Sequence, residues 1–388
     1  MQSWLFRNAD VISSGRRRKK DIYIYGGRFV RKLHQRSHSF DCCGLLMTPG
    51  FIDLQINGYG GKEFVGSDEA VALAQQSLPS YGVTSFLPTI VSHPLDRYRP
   101  SVLKSIIENS RTRNGAEVLG WHLEGPFLHP LQRGVHQASC LLDRVDEPFW
   151  KEVFSTKVIS LMTLAPELEL AGKLLPLLKK YQVKIAVGHS QAEKEHLQYA
   201  KEYGATFVTH LYNAMLPFHH RAPGIVGAVL GSELLGYSIV CDLYHVHQEA
   251  IQMAWKSFPK GLALISDAAP LFGSQDREGA FCGGRVFVTG DRILTAPGGN
   301  ISGSVVSLLE QFYRFMNVTG CSFEEAVRVV TETPASFVGV SQRKGKITVG
   351  YDADCVFWNV NEDRYEIIAT MTRGEISFAK EEFWERSL

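Results

Sequence analysis

The sequence lacks the features that mark secreted, membrane and thiolate-metal proteins. Its 388 residues include seven cysteines, an odd number at irregular spacing with no Cys-x-x-Cys pair. Such a set is typical of neither a disulfide framework nor a zinc site of paired thiolates. The chain also has no apolar leader at its start and no apolar run near the roughly 18 residues that a membrane span needs. We therefore expect a cytoplasmic protein with reduced thiols and no membrane partner.

An excess of charge of one sign is also missing. The 41 Lys and Arg are balanced by 40 Asp and Glu, which leaves a formal net charge of +1. Proteins that bind nucleic acids or anionic membranes usually have a clear excess of basic residues. The basic run at residues 16–20 is interpreted as the solvated tip of a hairpin. We expect no nucleic-acid partner.

Apolar sequence is plentiful and follows a regular rhythm. Hydrophobic residues make up 45% of the chain, and short apolar runs alternate with helical patterns from residue 46 onwards, as in βα units around a parallel sheet. Eight such units suit a closed (β/α)8 TIM-like barrel of the α/β class. An open doubly wound sheet is the alternative, but no Gly-x-Gly-x-x-Gly follows the first strand, which argues against dinucleotide binding. The predicted strands are residues 50–55, 83–88, 118–124, 158–164, 184–188, 206–209, 237–241 and 262–266.

Both ends of the chain have the pattern of short strands instead. Segments at residues 4–6, 21–25 and 28–30 are separated by turn residues, and strand-like sequence returns after residue 345. We predict a small β-sandwich domain built from residues 1–47 and 340–388, and a catalytic barrel at residues 48–339. A small hairpin is expected within residues 283–294, after the last barrel strand.

Chemistry-bearing residues follow four of the predicted barrel strands. Glu124 ends the third strand and precedes Gly-Pro, His189 and His210 follow the fifth and sixth, and Asp267 follows the eighth. Parallel barrel strands bring their carboxyl ends to one face, so these four side chains are expected to converge. Two imidazoles and a carboxylate match a catalytic zinc site, where the metal lowers the pKa of bound water toward about 7. Asp267 would take the proton of that water and later give it to the leaving group.

Each of these residues has a simpler interpretation when it is taken alone. A single strand-end histidine is more often a hydrogen-bonded core residue, and Glu124 could cap a helix. Asp267 precedes Ala-Ala-Pro and could be a helix N-cap. The occurrence of all four at the same phase of the βα rhythm favours the metal site.

The chain resembles the N-acetylglucosamine-6-phosphate deacetylases of the amidohydrolase superfamily over nearly its whole length. The resemblance is carried by the motifs His-Leu-Glu-Gly-Pro-Phe at residues 122–127, Gly-Val-His at 134–136, Gly-His-Ser at 188–190, Thr-His-Leu-Tyr-Asn-Ala-Met at 209–215, Arg-Ala-Pro-Gly at 221–224, Ser-Asp-Ala at 266–268 and Ser-Gly-Ser at 302–304. It implies that Glu124, His189 and His210 hold the metal, that Asp267 is the acid and base, and that the enzyme is a homodimer. It also implies that the sugar phosphate contacts Val135, His136, Asn213, Ala214, Arg221, His245, Ile301, Ser302 and Gly303.

The chemistry of these implied contacts is consistent with their residue types. Arg221 offers a planar fork of donors that suits a phosphate group. Asn213 and Ala214 can present backbone N–H groups to the same anion. His136 can donate to the amide carbonyl oxygen as negative charge develops there, which makes it a second catalytic residue.

Three departures from the family pattern bear on the site. Many amidohydrolases carry His-x-His at the end of the first barrel strand, where this chain has Gln55-Ile56-Asn57. Because amides are weak zinc ligands, we predict one divalent ion per subunit, Zn first and Fe, Co or Mn as alternatives. The usual Asp-Gly-x-His reads Asp-Leu-Tyr-His at residues 242–245, and residues 266–272 depart from the usual small-residue run, so the sugar pocket is expected to differ.

The predicted function is hydrolysis of the N-acetyl group of N-acetylglucosamine 6-phosphate, which yields acetate and glucosamine 6-phosphate. One alternative is a deacetylase of another N-acetylhexosamine phosphate, such as the galactosamine epimer. A cyclic-amide hydrolase usually needs the His-x-His that this chain lacks. A non-catalytic sugar-phosphate-binding protein is a remote alternative, which the presence of Asp267 disfavours.

Overall fold

The computed structural model describes residues 2–33, 37–296, 298–361 and 364–388. Five strands precede the barrel. They are β1 (Ser3–Ser13), β2 (Arg16–Tyr25), β3 (Arg28–Val30), β4 (His38–Asp41) and β5 (Leu45–Pro49). The predicted basic hairpin is present, because residues 16–20 form the exposed first half of β2 and pair with β1.

The barrel follows directly, and its elements alternate as the sequence predicts. The strands are β6 (Phe51–Ile56), β7 (Gly58–Tyr59), β8 (Lys62–Glu63), β9 (Val83–Ile90), β10 (Glu117–Val118), β11 (Trp121–Glu124), β12 (Ile159–Leu164), β13 (Lys184–Val187), β14 (Ala205–Val208), β15 (Gly236–Ile239) and β16 (Leu262–Leu264). The helices are α1 (Asp68–Ser77), α2 (Pro100–Ser110), α3 (Glu147–Ser155), α4 (Ala171–Lys180), α5 (Lys194–Glu202), α6 (Gly224–Ser232) and α7 (Gln248–Ser257).

Eight parallel strands, β6, β9 and β11–β16, form the barrel wall. The wall closes where the end of β6 meets the segment after β16, through hydrogen bonds from Asp267 N to Gln55 O (3.0 Å) and from Asn57 N to Ala268 O (2.7 Å). Every residue of β9 is buried, as expected for a parallel strand that is covered on both faces. The predicted fold class is therefore confirmed.

The third barrel strand differs from its prediction in one respect. Residues 118–124 were expected to form a single strand, but the structure divides them between β10 and β11. Gly120 has a φ of 118°, and the N–H of Leu119 turns to the carbonyl of Phe86. This left-handed break, which glycine tolerates, leaves β10 at the amino end of the wall and Glu124 at its carboxyl rim.

A four-stranded antiparallel sheet is inserted after the last barrel strand. It contains β17 (Glu278–Phe281), β18 (Gly284–Thr289), β19 (Arg292–Leu294) and β20 (Ile301–Ser304). The predicted hairpin corresponds to β18 and β19. The end of β20 returns to the barrel, because Ala269 N donates to Ser304 O at 3.0 Å, so residues 301–303 lie beside Asp267.

Three helices and three strands complete the chain before a short terminal helix. They are α8 (Leu308–Thr319), α9 (Phe323–Val330), α10 (Glu332–Phe337), β21 (Cys355–Asn361), β22 (Arg364–Thr372), β23 (Glu375–Ala379) and α11 (Glu381–Trp384). Helix α9 begins in a capping box formed by Ser322 and Glu325. Helix α10 closes the amino end of the barrel, where Phe337 stacks on Phe207 with ring centroids 4.6 Å apart.

The two termini meet in one sheet of eight strands, with the order β23-β22-β21-β5-β1-β2-β3 and β4 beside β1. Its side chains form a second hydrophobic core, separate from the barrel cores, that includes Phe6, Phe40 and Phe357. The terminal segments thus form a small β domain, while its division from the barrel at residues 47 and 340 stays a prediction. No described helix is both long enough and apolar enough to cross a membrane.

Candidate metal centre and active site

Glu124 is the centre of a buried cluster at the carboxyl rim of the barrel. Its side chain ends β11 and is only 3% exposed. Its Oε1 atom lies 3.2 Å from His189 Nε2 and 3.0 Å from His210 Nε2. The structure therefore brings together the three residues that the sequence predicts as metal ligands, although they lie at or just after the ends of three different strands.

His189 presents a lone pair to this carboxylate. Burial lowers the pKa of His189, so its ring is neutral, and its Nδ1–H donates to the carbonyl of Gln132 at 2.9 Å. A neutral imidazole that donates through Nδ1 has its lone pair on Nε2, the atom that faces Glu124. A lone pair and a carboxylate oxygen repel unless a cation lies between them, so the donor set fits a divalent metal.

His136 is a further member of the cluster. Ligand atoms of Glu124, His136 and His189 lie within 4.8 Å of one another, and His136 Nε2 is 3.7 Å from Glu124 Oε2. However, the backbone N–H of Ser92 donates to His136 Nδ1 at 3.1 Å. Because that donor occupies the Nδ1 lone pair, the ring carries its hydrogen on Nε2 and is a donor there, not a ligand.

Asp267 faces the same cluster and is held on one side only. Its Oδ1 accepts hydrogen bonds from Asn57 Nδ2 (2.8 Å) and Gln55 Nε2 (3.1 Å), while its Oδ2 lies 3.9 Å from His245 Nε2. Burial raises the pKa of Asp267, and the nearby charge of Glu124 raises it further. A carboxylate with a raised pKa and one free oxygen is suited to accept a proton and return it.

Gln55 connects the two carboxylates of the site. Its Nε2 donates to Glu124 Oε1 at 2.7 Å as well as to Asp267, and its Oε1 accepts from Thr209 Oγ1 at 2.8 Å. The sequence analysis treated Gln55 and Asn57 only as weak metal ligands and missed this role. The signal was present, because residues two apart on a strand share a face.

His245 is oriented by a buried carboxylate. Its Nδ1 lies 2.7 Å from Asp242 Oδ2, and Asp242 also accepts the backbone N–H groups of Tyr244 and His245, both at 2.9 Å. The side chain of Asp242 thereby holds residues 242–245 in a tight turn. Leu243 has a φ of 68° there, in the left-handed region where glycine is favoured.

Three of the four predicted strand-end residues share an unusual backbone conformation. His189, His210 and Asp267 have φ values of 51°, 34° and 48°. Residues other than glycine rarely adopt positive φ, and such residues cluster at functional sites. Sequence analysis gave no sign of this feature.

A cavity of about 180 Å³ opens above the cluster. Its wall includes all the predicted metal and catalytic residues and all the predicted sugar-phosphate contacts except Arg221. The lining residues are Asn57, Val91, Glu124, Gly134, Val135, His136, His189, His210, Asn213, Ala214, His245, Asp267, Phe281, Ile301, Ser302 and Gly303. Sequence analysis missed Asn57, Val91, Gly134 and Phe281.

The matching protein family agrees with this geometry. The model described as the Amidohydrolase family matches residues 46–377, which include the barrel and most of the carboxyl-terminal strands. The chain belongs to the amidohydrolase family. This membership confirms the prediction of a hydrolytic enzyme and accounts for the strand-end position of the site.

Three curated relatives of this chain carry the same name. An N-acetylglucosamine-6-phosphate deacetylase of Bos taurus is 36% identical over 97% of this chain and 96% of its own length. The corresponding Homo sapiens protein is 34% identical over 96% and 94%, and that of Bacillus subtilis is 34% identical over 87% and 86%. The chain therefore belongs to this deacetylase group, as its motifs suggested.

Solved structures lead to the same group of amidohydrolases. The N-acetylglucosamine-6-phosphate deacetylase of Pasteurella multocida has a TM-score of 0.88 at 27% identity, covering 97% of this chain and all (100%) of that one. The Thermotoga maritima protein of the same name has a TM-score of 0.84 at 27% identity with the same coverage. Because each match covers 97% of this chain, it includes the barrel, the inserted sheet and the terminal domain.

Arg221 is the one predicted site residue that the cavity does not include. It is exposed on the turn at residues 219–222, where its backbone N–H donates to His219 Nδ1 at 3.3 Å. This turn follows the Asn213 and Ala214 segment that does line the cavity. The role of Arg221 as a phosphate ligand stays a prediction.

Proposed function

We propose that this chain hydrolyses the N-acetyl group of N-acetylglucosamine 6-phosphate and releases acetate and glucosamine 6-phosphate. The observation that carries the proposal is the pairing of a candidate metal cluster with a separately held carboxylate, Asp267, in one cavity of a chain from this deacetylase group. The phosphorylated substrate and the free thiols suit a cytoplasmic enzyme.

One divalent metal ion would be held by Glu124, His189 and His210. The lone pair of His189 that faces a carboxylate oxygen at 3.2 Å supports this set, while the Nε2–H of His136 argues against its inclusion. Nitrogen and oxygen donors of this kind suit Zn²⁺, with Fe, Co and Mn as alternatives. When bound, the ion would polarise the substrate carbonyl and lower the pKa of water.

The residues of the chain would then divide the proton and charge movements between them. His136 donates its Nε2–H to the amide oxygen as negative charge develops there. Asp267 accepts a proton from the attacking water through Oδ2, since Oδ1 is occupied by Asn57 and Gln55. The carbon–nitrogen bond breaks as Asp267 returns that proton to the departing amine, so no net proton is gained or lost by the enzyme.

The remaining contacts would place the sugar and its phosphate. His245, fixed by Asp242, faces the cavity beside Asp267, and Ile301, Ser302 and Gly303 border the same space with Val135. We place the phosphate at the backbone of Asn213 and Ala214, with Arg221 on the adjoining turn. The substrate would bind in a homodimer, which remains a proposal from the family resemblance.

The test is acetate release from N-acetylglucosamine 6-phosphate and from its galactosamine epimer, each with and without a chelator. We expect acetate release from N-acetylglucosamine 6-phosphate. This activity should be lost with chelator and recovered when Zn²⁺ is added. The epimer arm measures sugar preference, which the change from the usual Asp-Gly-x-His to Asp-Leu-Tyr-His at residues 242–245 is expected to affect. No acetate from either compound in the presence of metal would refute the proposal.

A further inference from the structure

A second cavity lies at the end of the barrel opposite to the candidate active site. Its volume is about 170 Å³, nearly that of the active-site cavity. It is lined by Glu117 of β10, by Leu119 and Gly120 before β11, and by residues of the carboxyl-terminal segment. Because the consecutive strands β10 and β11 lead from this cavity to Glu124, the two sites lie at opposite ends of the same segment of chain.

Four cationic side chains surround the second cavity, namely Arg111, Lys157, Arg343 and Arg373. Arg111 and Lys157 are exposed and form no ion pair with another residue in the described part of the chain. Arg373 donates through Nη2 to the backbone carbonyl of Arg113 at 3.2 Å, which fixes its guanidinium without neutralising it. Three positive charges at this cavity therefore lack a carboxylate partner within the described residues.

The carboxylate that lines the cavity is already compensated. Glu117 Oε1 lies 2.7 Å from Arg343 Nη2, and its Oε2 lies 2.8 Å from Lys344 Nζ. The same two cations also pair with Asp352 and Asp354. The cavity and its ion-pair network together contain five cationic side chains and three carboxylates, which leaves an excess of two positive charges. The cations are Arg111, Lys157, Arg343, Lys344 and Arg373, and the carboxylates are Glu117, Asp352 and Asp354.

We propose that the second cavity binds the phosphate group of a small phosphorylated metabolite or free phosphate. A phosphate monoester carries about −1.5 to −2 charges at pH 7, which matches the local excess. Arginine guanidinium groups, here from Arg111 and Arg373, offer the paired donors that phosphate accepts, and Arg343 adds the charge of a guanidinium already held by Glu117 and Asp352. The site is separate from the deacetylation chemistry and does not depend on it.

Binding at this cavity would join two parts of the molecule. Arg111 and Lys157 follow α2 and α3 of the barrel, whereas Arg373 connects β22 and β23 of the terminal sheet. An anion held between them would stabilise the folded chain by mass action. Phosphate would thus raise the melting temperature through a site distinct from the substrate cavity.

The test is calorimetric titration of the full-length protein with inorganic phosphate at fixed ionic strength, because salt screens exposed charges. We expect two binding events in the wild type. The double variant Arg111→Gln with Lys157→Gln should weaken one of them by at least about tenfold, since it removes two charged hydrogen-bond donors from the cavity. The same variant should lose the matching part of the phosphate-induced rise in melting temperature.

Two further variants separate this site from general charge effects and from the active site. Lys104→Gln with Lys151→Gln removes the same charge from α2 and α3 away from the cavity, and should leave both binding events unchanged. Arg221→Gln should weaken only the substrate-cavity event. In that variant, the affinities of the second cavity for glucosamine 6-phosphate and for inorganic phosphate can be compared. Tighter binding of glucosamine 6-phosphate would indicate a phosphate ester as the ligand, and equal affinity would indicate free phosphate.

The proposal is overturned by either of two results. One is a single phosphate-binding event that Arg221→Gln abolishes and the Arg111 and Lys157 double variant leaves intact. The other is equal weakening by the Lys104 and Lys151 double variant, which would reduce the effect to net charge. Retained circular dichroism in each variant would show that the comparison is made between folded proteins.

Discussion

Glu117 and Glu124 are two carboxylates only seven residues apart, at opposite ends of the β10–β11 segment. Glu124 is buried, and the side chain of Glu117 is 17% exposed. Both have cationic or potentially cationic side chains around them. We propose different roles for them, because the barrel places one at its amino end and the other at its carboxyl rim. Conserved chemistry in such barrels is built at the carboxyl rim, while the amino end contributes to stability.

The partners of Glu117 are permanent cations. Burial by itself would raise its pKa, but Lys344 and Arg343 outweigh that effect and lower the pKa of Glu117 to about 2. Lys344 is only 1% exposed and needs its carboxylate partners to remain charged inside the protein. The cluster is therefore complete without any ligand between its members.

The partners of Glu124 are imidazoles that can be neutral. Burial opposes its ionisation, and the imidazole groups around it hold its pKa well below the ordinary value. The arrangement leaves an electron-rich centre that a metal ion would complete. The two carboxylates therefore differ chiefly in the charge state of their partners, which leaves Glu117 paired with fixed cations and Glu124 able to receive a metal ion under the proposed function.

The largest expected effect is at the carboxyl rim. Asp267→Asn should lower kcat by about 10²- to 10⁴-fold, because the amide keeps the shape of the side chain but cannot carry the proton. Metal content, measured by elemental analysis, should stay near that of the wild type. An undiminished kcat would show that Asp267 is not the proton carrier.

The next prediction compares the same substitution, Glu to Gln, at the two ends of the barrel. Glu117→Gln should lower the free energy of unfolding by about 3 kcal/mol, because it leaves Lys344 and Arg343 short of a buried partner, with kcat unchanged. Glu124→Gln should instead weaken metal affinity by at least about a hundredfold and abolish turnover. Urea unfolding of chelator-treated protein and metal titration measure the two quantities.

The opposite pattern would contradict the comparison. If Glu124→Gln destabilised the metal-free protein more than Glu117→Gln did, the rim cluster would be a structural ion pair. A lower kcat in folded Glu117→Gln would show that the amino end of the barrel also contributes to catalysis.

Another carboxyl, Asp53, is buried and has neither a cationic partner nor a candidate metal ligand among its hydrogen-bond partners in the described part of the chain. Burial raises the pKa of Asp53 to about 7, although Ser266 and Gln55 donate to it. Since the folded pKa exceeds the unfolded value, its contribution to stability is present below about pH 4 and is lost as pH rises to about 7, by up to about 1.4 kcal/mol per pH unit. Asp53→Asn should remove this slope from unfolding curves recorded across that range.

Glu117 should show the reverse dependence on pH. Its folded pKa is depressed, so its contribution is present above the unfolded value near pH 4.3 and is lost as pH falls toward about 2. The variant Glu117→Gln should flatten only this acid limb. An unchanged slope between pH 4 and 7 in Asp53→Asn would show that Asp53 is ionised in the fold throughout.

The smallest effect concerns backbone strain at the rim. Leu243→Gly should relieve a left-handed conformation that costs about 1–2 kcal/mol, less the roughly 0.5–1 kcal/mol that glycine loses in entropy on folding. Gln182→Gly is a matched control, because Gln182 has a φ of 61° at the amino end of the barrel. Both should raise the melting temperature slightly, and only Leu243→Gly should lower kcat/KM, by loosening the turn that carries His245.

The alternation of strands and helices could be predicted from the sequence because hydrophobic periodicity is a local property. It placed Glu124, His189, His210 and Asp267 at strand ends, and parallel strands must end on one face. The bounds of helix α6 have no such local signal, since Gly224–Ser232 has a nearly uniform apolar sequence without a clear face. The hydrogen-bond partners of the site were also beyond prediction.

Those partners depend on closure of the barrel. Gln55 meets Glu124 and Asp267 across 69 and 212 residues of chain, and Ser92 sets the ring hydrogen of His136 from another loop. The local sequence determined which side chains reach the rim, because that depends on neighbours a few residues away. Only the tertiary structure decided which atoms face each other, because closing eight strands fixes contacts that no local spacing encodes.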